Sequence, residues 1–490
     1  MTGRLENITG QRLRSLERIR ARGLDPYPCS CHPSHSTREA RALFEQQCEA
    51  PQPVSLAGRV VARRKMGKMA FLDIRDGAGK MQLCFRRDIL GQDRYQLLDD
   101  IDIGDIIGAE GKLFRTKAGE VTLELSDFIM LCKSLRPLPE KWHGLADVEK
   151  RYRQRYLDLI ANEGVKDIFL QRSRILSAIR SFLNGKGFME VETPVFQSQA
   201  GGALARPFTT HHHALGENLY LRIALELYLK RLIIGGFDRV YEMGRVFRNE
   251  GISVRHNPEF TLLECYQAYA DYNDMMALVE EMFSCIARGV LGSTSIACGG
   301  RSIDLAPPWQ RLYLRDAIRD CSGIDFADYP DAASLRSRME KEGMEVDVGK
   351  GRGKLIDELV ATFVQPELVQ PTFLLDYPVE MSPLAKRKRD NDHLAERFEG
   401  FIGGVEIANA FTELNDPLDQ RQRFQQQAKE QVGEEEAEIA DEDFLEALEY
   451  GMPPTGGLGI GIDRVVMLLT GQQSIREVIL FPQLRGKQSA

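Results

Sequence analysis

Arg248, Arg255 and His256 are three cationic or potentially cationic side chains in the stretch Val246-Phe-Arg-Asn-Glu-Gly-Ile-Ser-Val-Arg-His-Asn-Pro-Glu-Phe-Thr-Leu-Leu-Glu264. The residues between them are rich in Gly, Ser, Asn and Pro, the composition of a loop. Such groups suit a polyphosphate: guanidinium forks grip phosphate oxygens in pairs, and an aromatic such as Phe260 can stack on a base. A strand-like run, Asp238-Arg-Val-Tyr-Glu-Met, precedes the loop, and an apolar, aromatic run from Phe260 to Tyr266 follows it. The basic groups therefore lie on a loop between two strands. Taken alone, this pattern would also describe a solvated hairpin. A second stretch raises its weight: Gly456-Gly-Leu-Gly-Ile-Gly-Ile-Asp-Arg464-Val-Val-Met is a glycine-rich strand entering an apolar helix, with Arg464 at the junction.

The elements that must hold these groups require a large chain. At 490 residues, length points to two or three domains, and 43% hydrophobic content supports a real core. No apolar run reaches the length of a membrane helix, and Met-Thr-Gly-Arg-Leu-Glu-Asn at the start carries no apolar signal region. Nine cysteines, scattered and odd in number, argue against a disulfide framework, so the expected location is a reducing cytoplasm. Net charge is −8, but residues 1–137 hold 23 Lys/Arg against 18 Asp/Glu, and the remainder 41 against 54. That distribution is compatible with an RNA-contacting module on an acidic enzyme body, without by itself implying one.

Residues 1–53 form a helical extension that begins with an arginine-rich amphipathic pattern, Ile8 to Arg22, with a solvated face and an extra phosphate contact as equal alternatives. Residues 54–136 alternate as five short strands: Val54–Val61, Ala70–Asp76, Lys80–Phe85, Asp105–Phe114 and Val121–Leu125. Turns fall at Asp76-Gly-Ala-Gly and Thr116-Lys-Ala-Gly, and the pattern fits an OB-fold β-barrel, a fold that binds single-stranded nucleic acid on aromatics over a positive groove. Residues 137–150 read as a linker ending in a helix from Val148. Residues 151–490 mix long helices and strands. Helices are expected at Ile168–Leu183 and Leu221–Ile234, strands at Val240–Glu242 and Glu259–Tyr266, and a helical insertion at about 290–370. Glu434–Leu448 reads as an acidic solvated helix, and Lys386-Arg-Lys-Arg389 as a solvated basic loop. Cys29-Ser-Cys-His-Pro-Ser-His35 is too cramped for the usual zinc sites.

The two opening stretches resemble the second and third signature motifs of the class II aminoacyl-tRNA synthetases, and Gly187-Phe-Met-Glu-Val-Glu-Thr-Pro194 resembles the first. Arg153-Gln-Arg-Tyr-Leu-Asp-Leu-Ile160, Gly201-Gly-Ala-Leu-Ala-Arg-Pro-Phe208, Glu406-Ile-Ala-Asn-Ala-Phe-Thr-Glu-Leu-Asn-Asp-Pro417 and Tyr450-Gly-Met-Pro-Pro-Thr-Gly-Gly-Leu-Gly look like class II lysyl-tRNA synthetase in particular. The resemblance runs from about Gly23 to Pro482. It implies an α+β multidomain chain: a five-stranded OB-fold barrel for the anticodon, then a catalytic domain built on an antiparallel β-sheet flanked by helices. It also implies a cytoplasmic homodimer with the first motif at the two-fold contact. The implied substrates are ATP, L-lysine and tRNA(Lys), with about three Mg²⁺ ions and no membrane partner.

The roles implied by the resemblance follow position by position. Arg248 would bridge the lysine carboxylate and the α-phosphate, Glu250 would read the adenine edge, and Phe260 and Arg464 would sandwich the ring. Arg255 and His256 would face the outer phosphates, and Glu399 and Glu406 would hold the metal. Glu264, Glu413 and Tyr266 would take the ε-ammonium. Gly202, Glu226 and Asn409 would lie near the α-amino group, and Phe411 would line the alkyl stem. Phe71 would stack on the middle anticodon base, with Arg64, Gln82 and Glu120 beside it, although a strand aromatic can equally be core. Leu225 departs from the family, which usually has Pro there, and Ala408 and Ala410 stand where some members have Gly.

Catalysis of adenylate formation needs no enzyme nucleophile, because the substrate carboxylate is already ionised. Positioning and charge stabilisation suffice, which accounts for Arg, His and carboxylates in place of a Ser-His-Asp set. An aspartyl- or asparaginyl-type synthetase is the alternative within the class, but its pocket needs cations where this chain has Glu264 and Glu413. A lysine-activating paralogue that modifies a translation factor would lack the barrel of residues 54–135. A non-catalytic RNA-binding protein with a synthetase fold would not need Arg248, Glu399, Glu406 and Arg464 together.

Overall fold

The computed structural model describes residues 2–46, 53–139, 145–203, 205–430 and 441–486. The chain forms two compact units, Met1–Ala146 and Asp147–Ala490. In the first, β1 (Pro53–Met66), β2 (Met69–Arg75), β3 (Lys80–Arg86), β4 (Ile106–Arg115) and β5 (Val121–Cys132) close into a barrel in the order β1-β2-β3-β5-β4. Strands β1, β3 and β5 run longer than their sequence pattern suggests, and β2 and β4 have the expected length. Alternation sends Leu56, Leu72, Ile74, Leu83, Phe85 and Leu123 into one core. The Asp76 carboxylate accepts the amides of Ala78 and Gly79 at 2.7 and 2.8 Å, which closes the β2–β3 turn. The helix Thr2–Ala21 uses its arginines inside this unit. Arg12 donates to the carbonyls of Ile103, Ser134 and Arg136, and Arg18 pairs with Asp100 at 2.7 Å. Those two are structural clamps, not free phosphate contacts.

The second unit contains the short strands β6 (Met189–Glu190), β7 (Phe196–Gln197), β8 (Thr209–His212) and β9 (Glu217–Leu221). They are followed by β10 (Arg239–Phe247), β11 (Glu259–Ala268), β12 (Ser295–Cys298), β13 (Arg301–Asp304) and β14 (Gln310–Tyr313). The last four are β15 (Thr372–Pro378), β16 (Leu394–Ile402), β17 (Val405–Thr412) and β18 (Thr455–Gly461). An eight-stranded sheet runs β14-β15-β16-β17-β18-β11-β10-β6. It is antiparallel except for the parallel pairs β14–β15 and β10–β6 at its ends.

One face of the sheet is sealed by the helices Val165–Gly185, Tyr272–Leu291 and Ile462–Leu469, which pack on Leu263, Cys265, Phe398, Leu458 and Ile460. Ala408 and Ala410 also point into this core. The other face is covered at one end by the helices Glu226–Ile234 and Glu442–Glu449 and at the other by Leu314–Ser322 and Arg352–Leu359, and its central strands form the floor of a cleft.

Three expectations are corrected. The helix expected from Leu221 begins at Glu226, because Leu221 still belongs to β9 and the Leu225 amide bonds a side chain instead of a helical carbonyl. The insertion at 290–370 is not wholly helical: β12, β13 and β14 precede the helices Leu314–Ser322, Ala332–Lys341 and Arg352–Leu359. The basic tetrad is only half solvated: Lys388 is tied to Asp376 at 2.6 Å and Lys386 to Asn415 at 2.7 Å, while Arg387 and Arg389 are exposed. Of the acidic segment, residues 431–440 lie outside the described residues, and a helix spans Glu442–Glu449. Linker residues 140–144 also lie outside them.

Candidate active site

Cross-strand register places the cleft residues in rows. One row reads Glu242, Glu264, Gly459, Asn409, Glu399 across β10, β11, β18, β17 and β16. The next reads Tyr266, Gly457, Phe411, Arg397. Residues directly opposite share a face, so Glu264 and Glu399 stand on the same floor, three strand spacings or roughly 14 Å apart. The glycines Gly457, Gly459 and Gly461 alternate with the core residues Leu458 and Ile460, and leave that floor low in the middle.

Glu406 reaches the floor by a β-bulge. Gly400 pairs with Ala408, but Phe401 pairs with Glu406, so Ile407 is an extra residue in β17. Regular pairing would have turned Glu406 into the helical core. The bulge sets it on the same face as Glu399 and Asn409, a common use of bulges beside functional sites. Arg397 donates to Glu399 Oε1 at 2.7 Å and to Asn409 Oδ1 at 3.1 Å, and Arg464 donates to Glu406 Oε2 at 3.0 Å. Burial lifts the Glu399 carboxyl to about 7, with Glu406 adding to the shift and Arg397 opposing it.

The basic loop follows β10. The Arg248 amide donates to the Pro258 carbonyl at 2.8 Å, its Nε to the Ile223 carbonyl at 3.3 Å, and its guanidinium lies 5.2 Å from the centre of the Phe260 ring. Burial pulls the Arg248 guanidinium down from its ordinary value, and nearby carboxylates resist. Ser253 Oγ accepts the amides of Arg255 and His256 at 3.1 and 3.0 Å, which fixes the turn. Glu250, Arg255 and His256 are exposed at its tip. The His256 imidazole is held below its usual value by desolvation and by Arg464. The C-terminal segment pins the loop: the amide of Ile475 donates to Val254 O at 2.8 Å, and that of Gln483 to Asn257 Oδ1 at 3.2 Å.

At the other end of the floor is a buried acidic pocket. Glu264 Oε1 accepts the Leu225 amide at 3.1 Å and its Oε2 the Tyr266 hydroxyl at 3.2 Å. Glu413 is fully buried and ion-paired to Lys230, and its Oε1 has no hydrogen-bond partner among the described residues. A Cβ on Gly457 would lie 1.8 Å from that oxygen, so glycine leaves the room in which it sits. Gly202 holds φ at +86°, with space for a Cβ taken by Ala224 and Glu226. Glu226 pairs with Lys230 at 2.5 Å. Desolvation raises Glu264 to about 8, with Glu226 reinforcing it, and raises Glu413 as well. Carboxyls buried in this way favour the neutral form unless a cation stands beside them.

Gly202, Glu226, Arg248, Glu250, Arg255, His256, Phe260, Glu264, Glu399, Glu406, Glu413 and Arg464 line one open cleft of about 2200 Å³. Its shape can take an adenine-sized ring near Phe260, a polyphosphate along Arg248, Arg255 and His256, and an ammonium against Glu264 and Glu413. Two carboxylates, Glu399 and Glu406, could share a metal with phosphate oxygens. No cluster of three or more His, Cys, Asp or Glu ligands occurs among the described residues.

On the barrel, Phe71 pairs with Arg64 on one side and Cys84 on the other, while Leu72 and Ile74 turn inward. Phe71 is half-buried on the outer face and is not part of the barrel core. Gln82 lies on that same face, donating to Glu120 at 3.0 Å and accepting from Thr122 at 3.0 Å.

Comparison with known proteins accords with both units. The family described as class II tRNA synthetases (D, K and N) matches residues 147–485, and the family described as OB-fold nucleic acid binding domain matches residues 54–131. A lysine–tRNA ligase of Dehalococcoides mccartyi is 57% identical over 489 residues, covering 99% of this chain and 98% of the relative. One of Moorella thermoacetica is 56% identical over 98% of each, and one of Roseiflexus castenholzii 53% identical over 99% of this chain and 100% of the relative. The chain belongs to the lysine–tRNA ligase family of class II synthetases.

Several residues that shape this synthetase site gave little sequence signal. Lys230 follows Glu226 by four positions, which on a helix normally means a surface ion pair. Asp463 is buried, accepting Arg172 at 2.6 Å and the Thr261 amide at 2.8 Å, and it anchors the helix start beside Arg464. Arg397 could have been noticed as the odd-numbered neighbour of Glu399 on one strand.

Proposed function

We propose that this chain is a lysine–tRNA ligase, which activates L-lysine with ATP to lysyl-adenylate and passes the lysyl group to the 3′ end of tRNA(Lys). The observation that carries this reading is the buried carboxylate oxygen of Glu413 without a partner, set above Gly457 and beside Glu264 and Tyr266. A substrate ammonium supplies what that oxygen lacks, and a neutral side chain would leave the acceptors unpaired. Sites of that kind reject analogues by factors on the order of 10⁴–10⁵.

In the proposed reaction Arg248 spans the lysine carboxylate and the α-phosphate, bringing the attacking oxygen to phosphorus and neutralising charge as pyrophosphate leaves. Phe260 and Arg464 hold the adenine, Glu250 reads its edge, and Arg255 and His256 meet the outer phosphates. Glu226, Gly202 and Asn409 face the α-amino group, and Phe411 the alkyl stem. Two carboxylates with the remaining ligands drawn from phosphates and water is the donor set that Mg²⁺ prefers, so Glu399 and Glu406 would hold it and the ion would neutralise phosphate charge. By family resemblance about three Mg²⁺ ions act with ATP.

An aspartate- or asparagine-specific pocket needs net positive charge. Lys230 does not supply it, because Glu226, Glu264 and Glu413 outnumber it. For tRNA, the outer barrel face with Phe71, Arg64, Gln82 and Glu120 is the proposed anticodon platform. We also propose a homodimer through Gly187–Pro194. There the sheet ends at β6, with Met189, Val195 and Phe196 exposed by 43, 37 and 57%. No helix of the described residues is long and apolar enough to cross a membrane. The described cysteines are all unpaired, which supports a cytoplasmic location.

ATP–pyrophosphate exchange against all twenty amino acids without tRNA tests the reading. Lysine should be activated selectively. Preference for aspartate or asparagine, or no exchange at all, would overturn it.

A further inference from the structure

We infer that Lys230, on the helix behind the pocket, is the positioning residue that sets the spacing and charge of the two carboxylates receiving the substrate's ammonium groups. The inference rests on the reading of Glu226 as the α-amino contact and Glu413 as an ε-ammonium contact. Lys230 is completely buried, and its ammonium bridges the two, reaching Glu226 Oε1 at 2.5 Å and also Glu413 Oε2. Its head also lies 5.5 Å from the Phe411 ring and 5.8 Å from that of Phe444, so aromatic walls keep it from moving. One rigid internal cation thus joins the two ends of the substrate site.

The charges balance only with Lys230 included. The pocket holds three carboxylates, Glu226, Glu264 and Glu413, and lysine brings two ammonium groups. Its carboxylate is matched separately by Arg248. Three negative groups then meet three positive ones in a buried space, the condition under which such charges are tolerated. In the empty pocket, one cation faces three carboxylates, and burial favours the neutral form of Glu264. Binding of lysine supplies the missing positive charge. Without Lys230 one carboxylate would stay protonated even with substrate bound, or would stand unpaired.

Bridging also meters length. Sharing one ammonium fixes how Glu226 and Glu413 stand to each other, and with it the spacing of ammonium groups that suits both carboxylates best. The hydrophobic stem alone would discriminate by only about 10–200-fold.

The test uses the full chain in pyrophosphate exchange, with Lys230→Met and Lys230→Arg. The Met variant removes the charge at similar volume. Its KM for lysine should rise by about tenfold or more, the effect of a one-unit rise in a carboxylate pKa. The KM for ATP should stay as in wild type. Above neutral pH its lysine KM should fall more steeply than the wild-type KM. A folded Met variant with wild-type lysine KM and pH profile overturns the inference. The Arg variant keeps the charge but widens the bridge, so it should retain the wild-type pH profile and change the lysine-to-ornithine ratio of kcat/KM. An unchanged ratio in that variant overturns the metering role, and it decides the matter if the Met variant fails to fold. Wild-type enzyme that does not activate lysine would instead sink the proposed function, a result independent of either variant.

Discussion

The Leu225 amide donates a hydrogen bond of 3.1 Å to Glu264 Oε1, at a position where the family resemblance leads one to expect proline. Proline has no amide hydrogen, so this chain stabilises the ionised form of a pocket carboxylate by a contact that proline would delete. Burial still lifts Glu264 to about 8 in the empty pocket. Below that pH the carboxyl is largely neutral, and an arriving ammonium must displace its proton. The lysine KM should therefore fall as pH rises toward about 8 and then level off. Leu225→Pro should move that levelling to higher pH and raise the KM near neutrality several-fold, without changing the KM for ATP. Exchange kinetics across a pH series measure this, and an unshifted profile would show that the amide does not act on Glu264.

The same raised carboxyl acts on stability in the opposite sense. Its folded-state value lies above the unfolded one, so the native state binds more protons between about 4.5 and 8. The empty enzyme should lose stability as pH climbs through that window. Saturating lysine should reduce the loss, because it supplies the missing charge. Thermal melts at pH 6 and 8 with and without lysine compare the two, and an equal loss in both would contradict it.

Gly457→Ala places a methyl 1.8 Å from Glu413 Oε1 and 2.6 Å from Tyr266 Cε1. Both neighbours are buried, and both belong to the ammonium pocket. The variant should lose lysine activation nearly completely and lose about 1–3 kcal/mol of stability, the usual range for overpacking. ATP binding, on the other part of the floor, should persist. Lysine activation at the wild-type level would move the ammonium site away from Glu413.

Much of this site was legible because its chemistry sits in continuous strings. Arg248 to Phe260 and Gly456 to Arg464 each lie within one strand–loop or strand–helix unit, and period-two alternation identified the barrel strands and the glycine floor. The bulge at Ile407 was not legible, since a one-residue slip in pairing leaves no compositional trace, yet it decides which way Glu406 points. Lys230 was missed for a related reason: an i, i+4 Glu–Lys pair reads the same on a solvated helix as on a buried one. The strands at 295–313 were absorbed into a helical insertion because they are four residues long and carry weak alternation.

Arg248→Ala should lower the turnover of pyrophosphate exchange by about 10²–10³-fold, the cost of removing one group that stabilises transition-state charge. Arg248 is held by Ile223 O and stacked on Phe260, so its loss should also loosen the adenine site slightly. The diagnostic is the division between parameters. A large fall in kcat with a modest change in the KM for ATP fits the role; a change in KM alone contradicts it.

The barrel and the catalytic unit can be separated by one substitution. Phe71 faces outward between Arg64 and Cys84, with Gln82 and Glu120 on the same face, so removing its ring leaves the barrel core intact. A base stacked on an aromatic is worth about 1–3 kcal/mol, which translates into a 5–150-fold loss of tRNA lysylation for Phe71→Ala. Pyrophosphate exchange without tRNA should stay near the wild-type rate, because it calls on none of the barrel residues. The melt should change little, since the inward residues Leu72, Ile74 and Leu83 carry the core. Both activities and the melt on one preparation discriminate among the outcomes. Unchanged lysylation would remove Phe71 from the RNA face, and a collapsed melt with lost lysylation would make its contribution structural.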